Sequence, residues 1–101
     1  MSDQNNQQPN QNQVQVKLTD DVLKGVYANM VQVGHSSEEF VLDFMNIFPP
    51  SGVVTARVII SPSHAKRVMM ALSDNIKKYE QEFGTISIAV VPDQKIGFKT
   101  E

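Results

Sequence analysis

The sequence predicts an α+β domain: an antiparallel meander of three to four strands, followed by one long helix packed on one sheet face. Short segments between Val14 and Ile60 alternate apolar and polar residues, and Ser, Gly and Pro clusters separate them. After Ser61, one long stretch repeats its apolar residues at spacings of three and four. The first pattern lines one face of a sheet, and the second lines one stripe of a helix.

In order along the chain, Val14, Val16 and Leu18 alternate with Gln15 and Lys17, the pattern of a short strand. Thr19-Asp20-Asp21 then reads as a cap leading into a single helical turn that Gly25 stops. From Val26 to Val33, Tyr27, Asn29, Val31 and Val33 share a face, with Val26, Ala28, Met30 and Gln32 opposite. Phe40, Leu42 and Phe44 similarly oppose Val41, Asp43 and Met45. A connection at Ser36-Ser37 sets His35 against Glu38 and Val33 against Phe40, so that apolar residues meet across the pair. Pro49-Pro50 turns the chain again into Val53–Ile60. A hairpin centred near Pro50 brings Asp43 across from Arg57 as a structural ion pair.

The helix is the clearest element. Ser61 suits its N-cap, Pro62 its first position and Gly84 its C-terminal end. Ala65, Met69, Leu72, Ile76, Tyr79 and Phe83 form the stripe, about five turns long. Thr85–Val91 reads as a further strand. Three segments result: an Asn/Gln-rich tail at 1–13 that cannot bury enough surface to order, one α+β domain at 14–91, and a loose end at 92–101.

Composition narrows the function classes. With 101 residues and no cysteine, the chain is one small domain without disulfides or thiolate metal sites. The N-terminus carries no export pattern and no apolar run is long enough to span a bilayer, so a cytoplasmic location and no membrane partner are expected. A net charge of −2 gives no long-range attraction to nucleic acid. Lys66, Arg67, Lys77 and Lys78 share their helix with Asp74, Glu80 and Glu82, the mix of a solvated surface.

No chemistry is assembled by the motifs. His35 lies beside Ser36, Ser37, Glu38 and Glu39, and His64 near Ser61 and Ser63, but none of these serines sits in the strained elbow that exposes a nucleophile. Two distant histidines make no metal spacing, and isolated glycines make no phosphate loop. The expectation is a protein that is not an enzyme and takes no cofactor or metal. With the helix on the face of Val31, Val33, Phe40, Leu42 and Phe44, the opposite face still offers Met30, Val41, Met45 and Ile59 as an interaction surface.

Tyr27-Ala28-Asn29, His35, Glu39-Phe40, Leu42-Asp43-Phe44, Arg57 and Ser61-Pro62-x-His64-Ala65-Lys66 together resemble a widespread prokaryotic family of small domains of unknown function. The resemblance runs from Gly25 to Gly84, with the tail before Val14 and the Thr85–Val91 end outside it. It marks Tyr27, Asn29, His35, Glu39 and His64 without assigning them a role. At the level of fold alone, the order of four strands and a helix is similar to the export chaperone SecB, which implies a tetrameric holdase. The function expected is a self-associating protein-binding or scaffold module, a dimer or tetramer. A SecB-like holdase is the alternative, and a nucleic-acid-associated factor a more distant one.

Overall fold

The computed structural model describes residues 13–89 and 96–100. In chain order it contains a short helix α1 (Asp20–Leu23), strands β1 (Met30–His35), β2 (Phe40–Phe48) and β3 (Ser51–Ile60), and the long helix α2 (Pro62–Phe83). The strands form one antiparallel sheet in the order β1-β2-β3. The chain divides into two compact units: the described residues up to Gly34 with Val41–Ile59, and His35–Phe40 with the described residues from Ile60 onward.

Each connection follows from its local sequence. Between β1 and β2 the Ser36 amide donates to the Glu39 carbonyl at 2.9 Å. The Ser36 hydroxyl in turn accepts from the amides of Glu38 at 3.2 Å and Glu39 at 3.3 Å. The loop residues are therefore Ser37 and Glu38, and Ser36 satisfies the donors that a tight turn leaves unpaired. His35 lies opposite Phe40, their rings stacked with centroids 5.4 Å apart. The register at this turn thus differs by two residues from the one expected, which carries Val33 from Phe40 to Leu42. A slip of two keeps every side chain on its own face, so alternation cannot distinguish the registers; the serine hydrogen bonds do.

Between β2 and β3 the chain reverses at Pro49-Pro50, whose peptide bond is cis. Gly52 lies against Ile47, where a Cβ would come within 3.1 Å of Ile47 Cγ1, so the strands approach closely at a residue with no side chain. Beyond this contact the two strands run on to the Asp43–Arg57 pair. In that stretch the Thr55 hydroxyl donates to the Phe44 carbonyl at 3.0 Å.

The caps of α2 are those its sequence predicts. The Ser61 hydroxyl accepts from the His64 amide at 3.1 Å, Pro62 occupies the first turn, and Gly84 leaves the helix at φ 96°, where a side chain is disfavoured.

Two expected strands are not formed among the described residues: 14–18 and 85–89 have no strand pairing, and Val16 and Ile88 keep 86% and 90% of their surface. Alternation says which face a strand would bury, but not that a neighbour supplies the hydrogen bonds. Val90 and Val91 lie outside the described residues, as do 1–12 of the N-terminal tail and 92–95 and 101 of the C-terminal segment.

Burial is concentrated on β2, which has a neighbour on each edge. Met45 is 3% exposed and Asp43 6%, and Met45 is the one buried apolar residue among those described. No residue of α2 is buried: Met69 is 61% exposed, Leu72 60%, Tyr79 51% and Phe83 66%. An apolar stripe of this kind marks a helix that needs a cover.

Candidate functional site

β2 places Asp43 inward, and β3 brings Arg57 to it. The guanidinium grips the carboxylate bidentately, Nε to Oδ1 at 2.6 Å and Nη2 to Oδ2 at 2.9 Å. The hydrogen bonds from Arg57 hold the Asp43 carboxyl below its usual range, outweighing the desolvation that opposes them, and the guanidinium's charge adds to the effect. Asp43 in return pushes the Arg57 guanidinium further up. A carboxylate kept ionised and doubly occupied by a cation is a poor proton carrier and a good structural tie.

The direction of this shift sets a pH dependence. A carboxyl whose folded pKa is depressed stabilises the fold fully above its unfolded pKa, about 4, and progressively loses that contribution as pH falls below it. In Arg57→Met only desolvation remains and the carboxyl is pushed up, so this part of the acid dependence reverses sign. Urea midpoints of both proteins between about pH 6 and pH 3 check this; superimposable profiles would refute the tie.

Asn29 has a clear structural use. Its Oδ1 accepts from the Ile47 amide at 2.9 Å and its Nδ2 donates to the Ile47 carbonyl at 3.0 Å, while its own amide donates to the Met45 carbonyl at 2.9 Å. The carboxamide mimics a strand backbone just where β1 begins. Sequence reasoning missed this, although an amide side chain on an otherwise apolar strand face was the available signal. It also missed Asn46, whose Oδ1 is buried with no hydrogen-bond partner among the described residues.

The other marked residues are not brought into a reacting group. Tyr27 is exposed. His35 stacks on Phe40, Glu39 closes the turn, and His64 uses its backbone amide at the helix cap. The hydroxyls beside both histidines have structural duties: Ser36 and Ser61 accept from backbone amides, and Ser63 accepts from Arg67 Nη1 at 3.0 Å. Among the described residues no cluster of three metal-ligating side chains forms. Nor is any helix there long and apolar enough to cross a membrane.

Of the expected surface, Met45 is in the core, Met30 and Val41 are half-buried, and Ile59 is exposed. Met45 therefore cannot serve as an interaction residue. The open apolar surface lies on α2 and on the outer strands, at Val31, Val33 and Val58.

The profile of a family described as a protein of unknown function, DUF3467, matches residues 1–88. The chain belongs to the DUF3467 family. The DUF3467 match contains α1, the whole sheet and α2, and it reaches beyond Gly25–Gly84 in both directions, so the tail before Val14 and most of the 85–91 segment are part of it. No curated protein and no solved structure matches the chain. The four-strand order behind the likeness to SecB is not formed among the described residues, since 14–18 is not a strand.

Proposed function

We propose that this chain is a non-catalytic, self-associating subunit of the cytoplasm, a dimer or tetramer that serves as a protein-binding or scaffold module. The observation that carries the reading is the exposed stripe of α2 in a chain whose one buried apolar residue, among those described, is Met45. Burying one side chain of Leu or Met size is worth roughly 1.5–3 kcal/mol. Leaving four such residues of one helix in water forgoes an amount comparable to the whole stability of a small domain, about 5–15 kcal/mol. Association recovers it. The lack of cysteine suits a reducing compartment. Sedimentation of the full chain at micromolar concentration tests the proposal: an oligomer is expected, and a strict monomer would sink it.

A second reading, a holdase for unfolded chains, is favoured by Met69 and Met70, each 61% exposed on adjacent positions of α2, because methionine adapts to irregular apolar partners. It requires the purified chain to suppress aggregation of an unfolding client. Unchanged aggregation at molar excess rejects it.

A further inference from the structure

We propose that the cover of the α2 stripe is α2 of a second copy, running antiparallel about a two-fold axis near Asp74. The proposal rests on the self-association argued above and names its interface and orientation. From Ala65 to Phe83 the stripe alternates steps of four and three, the heptad seam along which two helices interlock. In an antiparallel pair each residue of one core position meets the other core position of the partner. Centred at 74, the seam sets Ala65 against the partner's Phe83, Met69 against the partner's Tyr79, and Leu72 against the partner's Ile76. The outer layers each join a smaller side chain to a larger one, the smallest facing an aromatic ring, and the central layers join Leu72 to Ile76, which are of equal size. A parallel pair sets Ala65 on Ala65 and Phe83 on Phe83, a void at one end and crowding at the other.

Charge selects the same orientation. Beside the seam, Lys66 falls opposite the partner's Glu80, and the symmetry repeats the pair at the other end. Glu80 is already positioned, because its Oε2 accepts from the Ile86 amide at 2.8 Å and leaves Oε1 for the lysine. The residues that meet their own copies near the axis, Ser73 and Asn75, are uncharged, so no like charges are forced together there. A parallel pair gives Lys66 no facing carboxylate. On the other flank Val68 extends the seam beside Glu82, whose carboxylate reaches water.

The full chain tests orientation by charge exchange. Lys66→Glu alone and Glu80→Lys alone each set two like-charged pairs at the interface and raise the dissociation constant about tenfold. The double variant restores self-association, and an equimolar mixture of the two single variants prefers mixed dimers. Spin labels supply a second measurement, since the chain has no cysteine and one introduced thiol is unique. Labels at Ser73→Cys lie close together, whereas those at Lys66→Cys lie about 25 Å apart, sixteen helical rises along the axis. If the wild type associates but the mixture shows no preference and labels at 66 are close, the antiparallel pairing is wrong and the self-association stands. If the wild type stays monomeric, both fall.

Discussion

Met45→Ala is expected to lower the stability of the folded chain by about 2–4 kcal/mol, read as a fall in the urea midpoint with an unchanged slope. Met45 is 3% exposed, in the middle of the one strand that has neighbours on both edges. Truncation removes its transfer free energy and leaves a cavity that β1 and β3 cannot close without breaking their pairing with β2. The comparison is Met70→Ala, the same chemical change at a residue 61% exposed, which should stay within about 0.5 kcal/mol. Both must be measured at one protein concentration, because association adds to apparent stability by mass action. Equal effects at the two positions would show that Met45 is not the centre of the core.

Leu72→Glu should weaken self-association by at least about a hundredfold while leaving the helical circular dichroism intact. Leu72 is 60% exposed, so the isolated chain tolerates a carboxylate there. In the paired state the same carboxylate sits in the central layer against Ile76, and the two-fold introduces it twice. Each copy loses an apolar burial worth roughly 1.5–3 kcal/mol and places a charge without a partner in a dry seam, and every 1.4 kcal/mol is a factor of ten in the constant. Sedimentation across a concentration series reads the outcome. An unchanged constant would move the interface away from α2.

The elements that were legible in the sequence are those whose signal is local. The limits of α2 follow from Ser61, Pro62 and Gly84, each of which acts on the backbone within one turn. The hairpins follow from Ser36 and from Pro49-Pro50 for the same reason. The Asp43–Arg57 pair is the one longer-range contact that could be read, because one acid and one base stand alone in adjacent apolar strands. The register of β1 on β2 was open by two residues, since periodicity fixes faces and not offsets. Residues 14–18 and 85–89 show the opposite limit: an alternating pattern becomes a strand only when another strand lies alongside, and no local residue records whether one does. The burial of Met45 was missed because both faces of β2 are apolar, and only the packed chain decides which side chains are enclosed.

Asn29 has one consequence of a different kind. The amide of Ile47 lies in a sheet, yet its acceptor is a side-chain oxygen that can turn about its own bonds. Its exchange with solvent is therefore gated by a rotamer change in one residue, whereas an amide bonded strand to strand must wait for the backbones to part. At this point the sheet is closed by a side-chain latch that works beside the backbone bond from the Asn29 amide to the Met45 carbonyl.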